Sequence, residues 1–200
     1  MEHKVALSFS GGKDSCLALY YLQKKNVKVE CLVTTVWTEE MKTFAHNEHI
    51  EQIRKQADAL ALPLHTIETD FSTYEEKFVL KLSEVKDKYG LDGIAYGDIY
   101  LEGHRIWGEG IAEKAGLEAF YPLWRDENQA KELLKDFVRL GFKAEIIKVN
   151  NQLPKAWVGR SIDELFIKDI TQLQSVCPLG ESGEYHTRVY DGPNFTYSLY

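Results

Sequence analysis

The stretch Ser8-Phe9-Ser10-Gly11-Gly12-Lys13-Asp14-Ser15 decides how the chain is read. Ahead of it, Val5-Ala6-Leu7 is an apolar run of the kind that forms a buried strand, and behind it Cys16-Leu17-Ala18-Leu19-Tyr20-Tyr21-Leu22 reads as a helix. A strand, a tight glycine turn and a helix N-terminus make a cradle for an anion. The glycines let main chain approach a phosphate with no Cβ in the way. The first helical turn offers unpaired N–H groups and a partial positive charge. Ser10 and Ser15 add hydroxyl donors, and Lys13 adds a mobile cation.

The run is not the common P-loop, which needs a glycine five positions before its Gly-Lys pair and Ser or Thr directly after it. Leu7 and Asp14 stand in those places. Ser10 to Ser15 instead resembles the PP-loop of the N-type ATP pyrophosphatases. Those enzymes split ATP between the α and β phosphates and carry an adenylated intermediate. The competing reading is an ordinary strand–helix turn.

A chain of 200 residues has room for one good core, or for one core and a small appendage. With 44% hydrophobic and 28% charged residues it has the composition of a soluble globular protein. No apolar run is long enough to span a bilayer, and Met1-Glu2-His3-Lys4 leads directly into a strand, so no signal peptide, no membrane and a cytoplasmic location are expected. Cys16, Cys31 and Cys177 are too few and too far apart for a disulfide framework or a metal pattern. A net charge of -7 argues against a broad nucleic-acid footprint.

Outward from the glycine stretch, strands and helices alternate. Lys4 to Ser10 and Val29 to Val36 read as strands around a helix from about Lys13 to Lys25. Ile50, Ile53, Ala57 and Leu60 step at helical spacing before Pro63. Leu64 to Ile67 is a short strand. Ser72 and Glu75 suggest a capping box for a helix with Phe78, Val79, Leu82 and Val85 on one face, ending near Gly90. Gly93 to Gly97 and Glu118 to Tyr121 are two further strands, with a helix from about His104 to Ala115 between them. Asp126 and Gln129 open a helix whose stripe is Ala130, Leu133, Leu134, Phe137 and Val138, and Phe142 to Val149 is a strand. Ser161 and Glu164 read as the cap of a last helix, and Tyr185 to Tyr190 with Phe195 to Leu199 as a terminal hairpin.

This alternation implies an α/β fold, a doubly wound parallel sheet with right-handed crossovers, whose ligand site lies at the carboxyl ends of the strands. The PP-loop resemblance implies five strands in the order 3-2-1-4-5, as in adenine nucleotide α-hydrolase-like proteins. A boundary near Leu123 divides an ATP-binding domain, 1–123, from a small α+β substrate-binding region, 124–200.

A second unusual stretch is Gly180-Glu181-Ser182-Gly183-Glu184-Tyr185-His186-Thr187. Two glycines and two carboxylates make a tight, charged turn. It suits a substrate ammonium, Mg²⁺ or ammonia, and equally a solvated surface turn. An N-terminal Ser-Gly-Gly-Lys-Asp-Ser together with a C-terminal Gly-Glu-x-Gly-Glu-Tyr resembles the diphthine–ammonia ligase family, and the resemblance runs from Val5 to about Phe195. Gly97, Pro122-Leu123-Trp124 and Trp157-Val158-Gly159-Arg160 fit it too. Two departures stand in the second loop: Ser182 replaces a family glycine, and His186 replaces another residue.

The resemblance implies that ATP activates a carboxylate as an acyl-adenylate, releasing pyrophosphate, and that ammonia then displaces AMP. By the same resemblance Ser10, Gly11, Gly12, Asp14 and Ser15 hold phosphates, Lys13 neutralises developing charge, Mg²⁺ bridges the phosphates, and Thr34, Thr35 and Gly97 flank the adenosine. Asp14 orients Lys13, binds Mg²⁺ or caps the helix; the sequence leaves all three open. Glu181 and Glu184 are the candidates for handling substrate or ammonia. Asp98, Arg105, Trp124, Trp157, Arg160 and Tyr185 are candidates for holding the acceptor, each with a packing or surface ion-pair alternative. The acceptor implied is diphthine on elongation factor 2 if the source is archaeal or eukaryotic, and a homodimer is admitted. His46 and His49 have metal-ligand spacing without a third ligand. The rival readings are a PP-loop tRNA-modifying enzyme, for thiolation or lysine addition, and an ATP-binding regulator without catalysis.

Overall fold

A computed structural model describes residues 2–37, 42–43 and 48–200. A five-stranded parallel sheet is built from β1 (Lys4–Ser8), β2 (Lys28–Trp37), β3 (Leu64–Thr69), β4 (Gly93–Ala95) and β5 (Glu118–Phe120), in the order β3-β2-β1-β4-β5. β1 lies between β2 and β4, with Leu7 opposite Leu32 on one side and Ala95 on the other. The expected fold class and strand order are therefore present, and all five carboxyl ends share one edge.

Strand alternation sends neighbouring side chains to opposite faces. Ala6, Cys31, Val33 and Ile94 pack with Phe78, Leu82 and Val85 of α3 (Tyr74–Tyr89) and with Ile111 and Ala112 of α4 (Glu102–Lys114). Val5, Leu7 and Leu32 face the other way. They join α1 (Lys13–Lys24) and α2 (Ile50–Ala59) in a larger core. That core runs on without a break through α5 (Glu127–Arg139), β6 (Lys143–Val149), α6 (Glu164–Ile170) and β7 (Tyr185–Asp191). α5 docks through Ala130, Leu133, Leu134 and Phe137, all buried. α3 stops at Gly90, whose φ of 64° is a left-handed cap that glycine adopts without steric cost.

Three local expectations are corrected. Tyr185 to Tyr190 does not form a hairpin with Phe195 to Leu199: β7 pairs antiparallel with β6, while the later segment bonds its main chain from Leu199 N to Tyr190 O and from Thr196 N to Ala59 O. Ser161 does not cap α6. It bridges Glu145 instead, and Asp163 accepts from Phe166 N at 2.8 Å. Ser72 and Glu75 form no capping box. Asp70 Oδ1 accepts from the Ser72 hydroxyl at 2.7 Å and the Thr73 hydroxyl at 2.9 Å, and then from the N–H groups of both, which pulls its carboxyl down to about 2. His46 lies outside the described residues, and His49 precedes α2 and forms an isolated bridge with Lys42.

Candidate active site

A cleft of about 340 Å³ opens at the carboxyl edge of the sheet, between the glycine loop after β1 and the Gly180–Thr187 segment. The two stretches singled out in the sequence thus face one another. Thr34 and Thr35 reach the cleft from β2, Gly97 and Asp98 from the turn after β4, Tyr74 from α3 and His104 from α4.

The glycine loop is fixed from behind. Gly11 holds φ at 76°. Its carbonyl accepts from Gln56 Nε2 at 2.8 Å and from Val189 N at 3.1 Å. The same amide nitrogen donates to Val189 O at 2.6 Å, so one fully buried side chain ties α2, the loop and β7 together. Lys13 N donates to Thr187 Oγ1 at 3.0 Å, a second tie to β7. Ser15 Oγ donates to Gly12 O at 3.0 Å and lies 3.4 Å from Ser10 Oγ, so the hydroxyls converge over the helix entry. Gly97 is needed for contact: a Cβ there would come within 3.2 Å of the Asp14 and Ser15 main chain.

Lys13 is only 6% exposed. Its Nζ donates to both Asp14 oxygens, at 3.0 and 2.8 Å, and to Leu179 O, and it sits 5.2 Å from the centre of the Tyr185 ring. Burial works against the charge, but Asp14, with Tyr185 and Glu181 behind it, outweighs burial and holds the ammonium above its ordinary range. Asp14 is thus bonded to the neighbouring Lys13, and α1 has no side-chain cap bond.

The two loop carboxylates part ways. Glu181 lines the cleft, where burial, then the nearby Asp14 charge, pushes its carboxyl up to about 7 against the pull of Lys13. Glu184 turns inward, 3% exposed, and accepts from Cys177 N at 3.0 Å and Ser182 N at 2.9 Å. Tyr185 lines the cleft with its ring while its hydroxyl donates to Pro178 O at 2.7 Å.

Asp98 is in the cleft and 2.8 Å from His104 Nδ1. The other four acceptor candidates are not among the cleft-lining residues. The Arg105 guanidinium lies over Trp124 at 5.1 Å and pairs with Glu109. Arg160 lies over Trp157 at 4.7 Å and pairs with Asp169. Conversely, Gln56, Tyr74, His104 and Thr187 belong to the site or its support and carry no local signature. Among the described residues no group of three or more His, Cys, Asp or Glu is arranged to hold a metal.

Two family models match, the diphthamide synthase N-terminal domain over residues 3–119 and the diphthamide synthase C-terminal domain over residues 129–200. The chain belongs to the diphthamide synthase family. A diphthine–ammonia ligase from Danio rerio is 28% identical over 210 residues, covering 93% of this chain and 81% of that protein. The tRNA-specific 2-thiouridylase MnmA 2 of Clostridium botulinum is 27% identical over 191 residues, 92% of this chain and 48% of that protein. The solved structure of the U34-tRNA thiolase NcsA from Methanococcus maripaludis aligns with a TM-score of 0.43 and 14% identity, over 91% of this chain and 70% of that one. So loose a likeness carries no argument. Membership of the diphthamide synthase family places the chain among ATP-dependent ligases.

Proposed function

We propose that the protein joins ammonia to a substrate carboxylate through an acyl-adenylate, with diphthine or a related carboxylate as acceptor. The supporting observation is the meeting of the glycine loop and the Glu181 loop in one cleft. On this reading the carboxylate attacks the α-phosphorus of ATP and pyrophosphate leaves. Ammonia then attacks the acyl carbon and AMP leaves with the electron pair of the C–O bond.

Ser10, Gly11, Gly12 and Ser15 cradle the outer phosphates. Lys13, kept cationic by Asp14, offsets the charge that builds as pyrophosphate departs; such fixed electrostatics contribute much of the acceleration in phosphoryl chemistry. Thr34, Thr35 and Gly97 flank the adenosine. Asp98, Glu181 and Tyr185 face the acceptor end, and Glu184 holds the loop that presents Glu181. Mg²⁺ fits this site as a passenger on ATP: it is commonly held by phosphates and one or two carboxylates, and Asp14 lines the cleft.

The likeness to a tRNA thiouridylase supports a second reading, RNA thiolation. Its chemistry calls for accessible thiols. Cys16 and Cys31 are buried, and burial pushes the Cys31 thiol up to about 12 and Cys16 higher still. Cys177 alone of the three cysteines is partly accessible. The deciding experiment incubates the protein with MgATP, ammonium and a panel of carboxylates that includes diphthine-bearing elongation factor 2. AMP and pyrophosphate in equal amounts support the ligase; ADP as product, or AMP formed with tRNA alone, overturns it.

A further inference from the structure

The glycine loop accounts for the nucleotide side of the cleft. On the other side His104, in the first turn of α4, has no role yet. Asp98 Oδ1 lies 2.8 Å from its Nδ1, which fixes the proton of the neutral ring there and leaves Nε2 with a free lone pair. Its side chain is 58% exposed although it lines the same cleft as Glu181. The other basic groups of the cleft are less suited to exchange protons with water. Lys13 is enclosed by Asp14 and Leu179 O, and burial, then Lys148 and Lys13, lower His186 to about 4.

Amide formation from an acyl-adenylate and ammonium releases protons that must leave a partly closed site. We propose that Glu181 and His104 form one proton-transfer pair, positioned by Asp98, that strips incoming ammonium and delivers the proton to solvent. This rests on the ligase reading. The Glu181 carboxylate takes a proton from ammonium: an N–H bond breaks, an O–H bond forms, and ammonia keeps its lone pair for the acyl carbon. The Glu181 carboxyl then passes that proton to His104 Nε2, and the imidazolium, paired with Asp98, gives it to bulk water. The restored carboxylate takes the second proton, from the nitrogen of the new amide, as AMP departs.

The surroundings of both groups suit the exchange. Glu181 feels Asp14, Lys13, Asp98 and His104, and its own charge reaches Tyr100 and Tyr185. His104 feels Asp98 and Glu181, and the Asp98 bond, against burial, raises it above the ordinary imidazole range. Glu181 and His104 line one cleft, and each stands among the charges that shift the other, so a proton can pass between them.

The test needs no acceptor. The full chain is titrated by NMR, reading the ring nitrogens of His104 and the side-chain carboxyl of Glu181, in the parent protein and in Glu181→Gln, His104→Asn and Asp98→Asn. Coupling between two sites is reciprocal. Glu181→Gln should lower the His104 midpoint by about one pH unit, and His104→Asn should raise that of Glu181 by a matching amount. Asp98→Asn should lower the His104 midpoint and shift its neutral ring away from the Nδ1–H form. A His104 midpoint unchanged by Glu181→Gln overturns the pair, and this one comparison decides the matter should His104→Asn fail to fold. Absence of AMP release with every acceptor would sink the ligase reading and leave these titrations as they are, so the two failures are distinct.

Discussion

Gly11 concentrates the steric demands of the glycine loop in one residue. Its φ of 76° is in the left-handed region, and a Cβ there would lie 2.2 Å from Gln56 Oε1 and 2.7 Å from Ile53 Cδ1. Gly11→Ala should therefore destabilise the fold by about 1–3 kcal/mol, the usual cost of a strained backbone position. It should also weaken ATP binding, because Ser10 and Lys13, which line the cleft on either side of it, turn with the loop. Urea denaturation and calorimetric titration with ATP read the two effects, and parent-like ATP affinity would remove the loop from phosphate binding. Glu181 makes the complementary case in charge. Its carboxyl sits at about 7 in the fold, against an ordinary 4.5, so between those values the folded protein holds a proton that the unfolded chain has released. Stability contributed by Glu181 is thus full below 4.5 and is lost as pH rises toward 7. Glu181→Gln should stabilise the protein at pH 8 by on the order of 1 kcal/mol and leave it nearly unchanged at pH 4. A variant less stable than the parent at pH 8 would show that the carboxylate is held by partners and not burdened by burial.

Among elements, the Gly180–Thr187 segment separates a residue that lines the cleft from one that turns inward. Glu184 accepts two main-chain N–H groups from its own loop. Glu184→Ala leaves both donors without that partner and should cost about 1–3 kcal/mol. Denaturation midpoints measure this, and an unchanged midpoint paired with lost AMP formation would return Glu184 to a direct catalytic role. The sequence could show that such a loop exists but not which of its two carboxylates faces inward, since both occupy similar local patterns. The same limit explains the other differences. The stripe of α5 and the stop at Gly90 are local physics, and both are readable from periodicity and a single glycine. The pairing of β7 with β6 joins residues far apart in the chain, and an apolar alternation does not say which edge it will meet. Ser161 matches a capping pattern, yet its main chain is committed to a bridge with Glu145, and Asp163 takes the cap. His104 has no motif at all. It becomes a site residue because β4 ends where Asp98 can hold it.

At the scale of the molecule, the cleft depends on both ends of the chain. Thr187 and Val189 of β7 bond to the glycine loop, and Gln56 bonds to the loop and to β7 at once. One apolar cluster contains Val5 and Leu7 of β1 together with Phe137, Phe166 and Val189. Residues 1–123 and 124–200 therefore differ in architecture while sharing a core, and a shared core couples their stabilities. Unfolding should follow one cooperative transition, with near-UV and far-UV circular dichroism giving the same midpoint in urea. A fragment ending at Leu123 would expose the apolar face that α5 and β7 cover, and would lose the bonds that Val189 makes to Gly11 and that Thr187 and Leu179 make to Lys13. It should aggregate or stay partly folded, and should not bind ATP. Two resolved transitions, or a soluble fragment with parent-like ATP affinity, would mean that the N-terminal part forms its nucleotide loop unaided and that the ties to β7 are incidental.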